Sequence, residues 1–307
     1  METLEHAPSL DKQETFCIAH PRQVQSLELA RRMIEANTWR PMSPPADGVE
    51  TSRDRQMRAL QECGSHLWVV FVDGEPALRF KSCHLRYCPR CAAVLSWKRA
   101  QLFEQRINEM RRPSFVTLTM RHNDMPLRDQ IQRLSRCFGR LKRRAVWKQA
   151  VAGGFHVVEI TRNKVTAQYH AHIHAVIDAR YMPQDWLSDQ WLKITGDSQI
   201  VHIRRARSED SRYLAKYATK SGAELAIDAE DIWRNVDALR GLRLVGTFGN
   251  CRPLNDDADI FPRHDQSDTL AIPIETLYEQ ARTDPIAHGY IQKLRAKHPW
   301  LPDIPAP

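Results

Sequence analysis

No run of this 307-residue chain is apolar for long enough to cross a bilayer, and its start has no secretory-leader pattern. A membrane span is therefore not expected, and a reducing, cytoplasmic setting is, in which the seven cysteines are thiols or metal ligands, not disulfides. Glycine is scarce at 12 residues, and none of them forms a phosphate-cradling loop of the Walker type, so ATP-driven work by this chain alone is excluded. No internal repeat is present, which excludes a solenoid. Acid is also short, 37 Asp and Glu against 45 Lys and Arg, and the resulting net charge of +8 favours a polyanionic partner.

What is present is concentrated in two segments. His170, His172 and His174 alternate with Ala171, Ile173 and Ala175. Alternation is the period of a strand, so the imidazoles share one face and the apolar side chains the other. Two imidazoles one pleat apart can chelate a divalent cation. A half-exposed strand with solvated histidines is the competing reading, and three histidines backed by a clean apolar face weigh against it. Residues 154–161 read as a preceding strand, with Arg162, Asn163 and Lys164 as turn material. If the two form a hairpin with an even-numbered loop, Glu159 joins the histidines' face. The expected catalytic ion is Mg2+ or Mn2+ held by His172, His174 and Glu159, with His170 a ligand, a supporting group or neither.

The second segment, residues 209–221, reads as a helix with Ser208 as N-cap and Ser221-Gly222 as stop. Tyr213 and Tyr217 are four apart and share a face, and Lys216 and Lys220 follow each by three. A phenol, with a reference pKa of about 10, needs a metal or a nearby ammonium to become a useful nucleophile. Taken alone, the segment is better explained as a partly buried amphipathic helix with tyrosines at the core edge and lysines as solvated caps.

Taken together, the two segments resemble the HUH endonucleases, the rolling-circle replication initiators of plasmids and phages. His172-Ile173-His174 matches their histidine pair, and Tyr213 to Lys216 and Tyr217 to Lys220 match their Tyr-x-x-Lys. Residues 115–119 resemble the first motif of the small-plasmid Rep proteins, Glu159-Ile160-Thr161 their Glu-x-Thr strand, and residues 241–246 their distal strand. The resemblance implies a metal-dependent, site-specific endonuclease and ligase acting on single-stranded origin DNA. In that scheme Tyr217 attacks, forming a 5′-phosphotyrosine and freeing a 3′-OH, Tyr213 resolves the adduct, and Lys216 and Lys220 steady the charge. A host helicase and polymerase are implied partners. Tyr213 stands where many single-tyrosine initiators carry glutamate, which favours a two-tyrosine mechanism. The alternatives are a two-tyrosine HUH rolling-circle transposase, a histidine-triad nucleotide hydrolase, and a non-enzymatic zinc-stabilised DNA-binding regulator.

Cys88 and Cys91 form a CPxC pair, with Cys83 five residues and Cys63 twenty-five residues before Cys88. Four thiols suit a structural Zn2+, with His66 or His84 able to replace one. Cys17, Cys137 and Cys251 are spare. Residues 127–150 read as one amphipathic helix whose polar side carries Arg133, Arg136, Arg140, Arg143 and Arg144, candidate phosphate contacts. The element order predicts an α+β fold: a ferredoxin-like (HUH/palm-like) central antiparallel β-sheet flanked by helices, with an N-terminal cysteine-rich zinc-binding module. The histidine strand is expected at its centre and the tyrosine helix over it. The expected division is an N-terminal extension and linker at 1–55, the zinc module at 56–105, an HUH endonuclease domain at 110–253 and a C-terminal tail at 254–307.

Overall fold

The computed structural model describes residues 23–37, 52–219, 225–251 and 271–304. Lys220, the Ser221-Gly222 stop, Cys17 and the proline-rich linker at 41–45 lie outside them. In chain order the elements are α1 (Gln23–Asn37), α2 (Ser52–Gln61), β1 (Leu67–Val72), β2 (Glu75–Phe80), α3 (Pro89–Asn108), β3 (Pro113–Thr119) and α4 (Leu127–Lys142). There follow α5 (Ala145–Ala150), β4 (Val151–Arg162), β5 (Tyr169–Ala179), α6 (Gln184–Thr195), β6 (Val201–Arg205), α7 (Asp210–Ala218), α8 (Ala229–Leu239) and β7 (Val245–Gly249). The C-terminal elements are β8 (Ala271–Pro273), α9 (Ile274–Gln280) and α10 (Pro285–Lys297). No helix among the described residues is long and apolar enough to cross a membrane.

The chain divides into two units. The larger, residues 22–63 and 82–265, is built on a five-stranded sheet in the order β6-β3-β5-β4-β7, each neighbouring pair antiparallel. The histidine strand β5 is central, as expected. Strand alternation sorts the residues. Val116, Leu118, Val158, Ile160, Ala171, Ile173, Ala175 and Ile177 face one way, where Leu127, Ile131, Leu134, Phe138 and Leu141 of α4 and Leu187, Trp191 and Ile194 of α6 cover them. Phe115, Phe155, Val157 and Val176 face the other way, under Phe103 and Ile107 of α3 and Leu214, Ala215 and Ala218 of α7.

The helix expected over 127–150 is two. Arg143 closes α4 through its N–H to the Arg140 and Leu141 carbonyls, and Arg144 turns extended, which swings Trp147 of α5 edge-on against Phe138. The tyrosine helix is also shorter than expected. Its N-cap is Glu209 and not Ser208, whose carbonyl instead accepts the Ser211 hydroxyl. The distal strand starts at Val245, leaving residues 241–244 outside it.

The smaller unit, described over residues 64–81 and 271–304, differs most from expectation. Its sheet has the order β2-β1-β8, and Leu67, Val69 and Leu78 pack with Ile274, Leu277, Tyr278, Ile291 and Leu294. A lone hairpin cannot bury its apolar face, and the C-terminal helices supply the cover. The expected tail is therefore half of a folded unit, and the expected 56–105 module is divided: its hairpin belongs here, its cysteines to the larger unit. Nor is the stretch before residue 55 an extension only. Leu29, Ala30 and Met33 of α1 are buried against Cys63, Cys88, Cys91 and Trp233.

His156 on β4 faces the α4 side, where its ring lies beside Phe138 and Phe248 and fills the space a Cβ on Gly246 would need. Burial, and next the Lys142 charge, push its pKa down to about 4. An unfolded imidazole titrates near 6.5, so between about pH 6.5 and 4 the unfolded chain binds a proton that the folded one refuses. The stabilisation is complete above that window and is lost as pH falls through it, on the order of 3 kcal/mol. His156→Leu is expected to flatten the fall in melting temperature across this range. A parent and variant falling in parallel would contradict the assignment.

Candidate active site

The register of the central strands assembles the site. Glu159 of β4 lies directly opposite His172 of β5, and on the other side Thr119 and Thr117 of β3 lie opposite His172 and His174. The threonines engage the Nδ1 atoms: Thr117 Oγ1 is 3.1 Å from that of His174, and Thr119 Oγ1 3.3 Å from that of His172. Each ring is thus held with Nε2 outward, the way a supporting hydrogen bond orients a metal-ligating histidine. His174 Nε2 meets Glu159 Oε2 at 2.6 Å, both groups buried. Burial, and next the charge of His170, push His172 down to about 4, so its ring is neutral at neutral pH, as a ligand must be.

One pair of this donor set already approaches the spacing of ligands on a hexacoordinate cation, while the three donors together do not. Two cis ligands about 2.1 Å from such an ion stand about 3 Å apart, so Nε2 of His174 and Oε2 of Glu159 need open by only a few tenths of an ångström. Among the described residues, however, the cysteines are the set of three or more ligand atoms already within 4.8 Å of one another. The imidazoles and Glu159 share a face without being drawn together as tightly. His170 is differently employed. Its Nε2 lies 2.6 Å from the Met120 carbonyl, which can only accept, and its ring stacks on His122 at 3.8 Å.

Helix α7 brings both phenols to this face. The ring of Tyr213 stands 5.4 Å and that of Tyr217 5.8 Å from His174, and the two are 4.6 Å apart. The helix is clamped at both ends. Arg204 of edge strand β6 grips the buried Asp210 carboxylate through two bonds of 2.8 and 2.6 Å, and Arg99 of α3 caps the C-terminal turn at the Ala218 carbonyl. Burial first, and then its hydrogen bond with Tyr217, push Tyr213 above the usual phenol range. Lys216 is exposed on the same helix.

Thr117 and Thr119 lie within the 115–119 segment that carries the resemblance, but the sequence assigns no individual role to them, nor to Arg204, Asp210 or Arg99. The threonines carried a signal, since they alternate on β3 with the period of the histidines. The Arg204–Asp210 grip carried none, because it bridges a strand and the helix after it. The basic helix, by contrast, lies where sequence could not place it: α4 covers the sheet face opposite the histidines. Arg133 there holds the Thr195 carbonyl and Asp197, and Arg140 holds the Ile194 carbonyl, so both serve the end of α6. Arg136, Arg143 and Arg144 are exposed.

The second cluster is the cysteines. Cys63 follows α2, Cys83 and Cys88 lie in the loop before α3, and Cys91 sits in its first turn. The Sγ separations are 3.5, 3.5 and 3.7 Å for Cys63–Cys91, Cys88–Cys63 and Cys83–Cys91. Four sulfurs at about 2.3 Å from one tetrahedral Zn2+ stand about 3.8 Å apart, so the set fits the ion, and neither His66 nor His84 is required. Neighbouring thiols, Cys83 foremost, hold Cys63 below the usual thiol range, and Cys63 in turn pushes Cys83 and Cys91 above it. A divalent cation resolves that conflict by taking all four as thiolates. The fully buried Arg90, with Nη1 3.4 Å from Cys63 Sγ, supplies counter-charge. Purified protein is expected to carry about one zinc per chain, read by elemental mass spectrometry, and Cys63→Ser to lose the metal and melt at lower temperature. Metal-free protein with unchanged melting would contradict the assignment.

Comparison with known proteins finds a family and relatives for this chain. The family model described as "Replication protein" (Rep_1) matches residues 78–293. The chain is 28% identical over 196 residues to "Protein rep" of Staphylococcus aureus, covering 56% of this chain and 83% of that one. It is 24% identical over 293 residues to "Protein rep" of Bacillus amyloliquefaciens, covering 80% and 84%. No solved structure matches it. The kinship expected from the sequence is thus borne out: the chain belongs to the Rep_1 family of replication proteins.

Proposed function

We propose that this replication protein starts rolling-circle synthesis by nicking single-stranded origin DNA with Tyr217. The observation that carries the reading is the approach of both tyrosine rings to within 5.4 and 5.8 Å of His174, on the sheet face that also holds His172 and Glu159. A histidine-triad hydrolase needs no tyrosine helix there, and a non-enzymatic regulator needs no threonine-oriented imidazoles. The strand order, with α4 and α6 on one face, supports reading the sheet as a ferredoxin-like split βαβ arrangement of the HUH kind.

Mg2+ or Mn2+ bound by His172, His174 and Glu159 supplies Lewis acidity to the scissile phosphate. The residues do the rest. Thr117 and Thr119 fix the two imidazoles, while His170 and His122 wall the end of the site beside His172. Burial makes the Tyr213 phenolate harder to form, and Tyr217 is assigned the first attack. The Tyr217 hydroxyl gives up its proton to solvent as its oxygen bonds to phosphorus, the P–O3′ bond breaks, and the freed 3′-oxygen takes a proton from solvent and becomes the primer end. The ester energy is kept in the phosphotyrosine, so later joining needs no ATP. Lys216, and Lys220 beyond the described residues, offset phosphate charge. Tyr213 attacks the regenerated junction after one round. A host helicase and polymerase complete the process.

With a 5′-extended origin strand and Mn2+, Tyr217→Phe is expected to abolish the denaturation-resistant protein–DNA adduct on gels, and Tyr213→Phe to form it but fail to resolve it. Adduct from Tyr217→Phe at the parent rate would contradict the assignment of the first nucleophile. Thr117→Val, which frees the His174 ring, is expected to weaken Mn2+ binding roughly tenfold by calorimetry. Unchanged affinity would remove Thr117 from the site.

A further inference from the structure

At the end of the five-stranded sheet away from the histidines, four strand termini meet, and each brings a cation. Arg112 precedes β3, Arg180 follows β5, Arg205 ends β6, and Lys148 lies in α5, which runs into β4. Backbone hydrogen bonds set these termini side by side. The Ala206 N–H donates to the Pro113 carbonyl at 2.9 Å, the Ala179 N–H to that of Arg112 at 3.2 Å, and the Arg180 N–H to that of Ala150 at 2.9 Å. The strand order β6-β3-β5-β4 is therefore also the order Arg205, Arg112, Arg180, Lys148. Three spacings between neighbouring strands make this row about 15 Å long.

All four side chains are exposed, and none of them is in an ion pair among the described residues. The neighbouring acids are engaged elsewhere. Asp178 accepts the Arg112 backbone N–H at 3.0 Å, Glu109 holds the Arg106 guanidinium at 2.9 Å, and Asp210 is gripped by Arg204. Asp185, in the first turn of α6, stays exposed, one acid against four cations. Beside Arg180 stands Tyr181, whose side chain is left in solvent with the residue 89% exposed. Eight residues separate Arg180 from His172, about 26 Å of extended chain, so the row is not part of the candidate metal face.

We propose that this row is a second seat for single-stranded DNA, in which Arg205, Arg112, Arg180 and Lys148 meet the phosphates and Tyr181 stacks on an unpaired base. Cations in line with an open aromatic ring are the combination that holds a single strand without reading its sequence. A duplex would satisfy the cations, but its bases stay stacked on one another and leave Tyr181 without a ligand. The seat shares no residue with the nicking site, and its test is read by binding in a protein that cannot cut, so the result stands whether or not an adduct forms.

The experiment uses the full chain carrying Tyr213→Phe and Tyr217→Phe, and measures anisotropy of a fluorescent single-stranded oligonucleotide and of a blunt duplex of the same sequence across salt. On that background, Arg112→Gln, Arg180→Gln and Lys148→Gln together are compared with Lys193→Gln, which removes an exposed charge at the other end of α6. Tyr181→Ala is compared with Tyr181→Phe, and melting temperature checks each fold. The triple variant is expected to bind the single strand about tenfold more weakly, with a salt slope smaller by about 2, since each lost phosphate contact removes about 0.7. Tyr181→Ala is expected to bind it about tenfold more weakly at an unchanged salt slope, and Tyr181→Phe to bind like the parent. A loss confined to the duplex, a Tyr181→Ala protein that binds like Tyr181→Phe, or a folded triple variant that binds like Lys193→Gln would each overturn the proposal.

Discussion

The pairing register of β4 and β5 governs everything at the site. It sets Glu159 against His172 and turns His170, His172 and His174 to one face while Ala171, Ile173 and Ala175 fill the core on the other. A slip of one residue would bury the imidazoles among Ile131, Leu134 and Phe138 and expose the apolar set. The cost of that exchange makes the register unambiguous. The one irregularity in the pairing lies between Val151 and Gly153, at the end far from the histidines. Strain is thereby kept out of the part that must hold donor atoms in place.

A single helix then links the two candidate metal centres. α3 starts at the cysteines, with Cys88 as its N-cap and Cys91 in the first turn, and runs 20 residues until Phe103 and Ile107 lie under the tyrosine helix. Along its length Arg99 caps α7. The cysteine cluster therefore sits at the start of the element that supports the tyrosine helix. A second tie runs through α8, whose Asp231 holds Arg162 at the turn end of the hairpin in a buried pair of 2.6 Å, and whose Trp233 packs beside the cysteines. Both ties join the cysteine cluster to the face that holds the histidines and tyrosines.

The parts legible in the sequence were those written in short-range periodicity. The histidine face, Glu159 opposite it, the paired tyrosines and the four thiols follow from periods of two and four and from cysteine spacing. What sequence did not carry was long-range placement. Nothing local tells the hairpin at 67–80 that its cover lies some two hundred residues later, in Ile274 and Ile291. Nothing in the arginines of α4 reveals that the helix covers the far face of the sheet, or that Arg133 and Arg140 are spent on the end of α6. The break at Arg144 arises from Trp147 seeking Phe138, a tertiary contact that overrides a continuous helical pattern.

The central claim is spatial: one cation lies between the two imidazoles and Glu159, within reach of a phenol. Anomalous diffraction from crystals grown with Mn2+ tests it most directly. The account predicts a peak bonded to Nε2 of His172, Nε2 of His174 and the Glu159 carboxylate, with the Tyr217 hydroxyl a few ångströms away across open space. A peak held by other residues, or Tyr217 turned into the core beneath an occupied site, would contradict it.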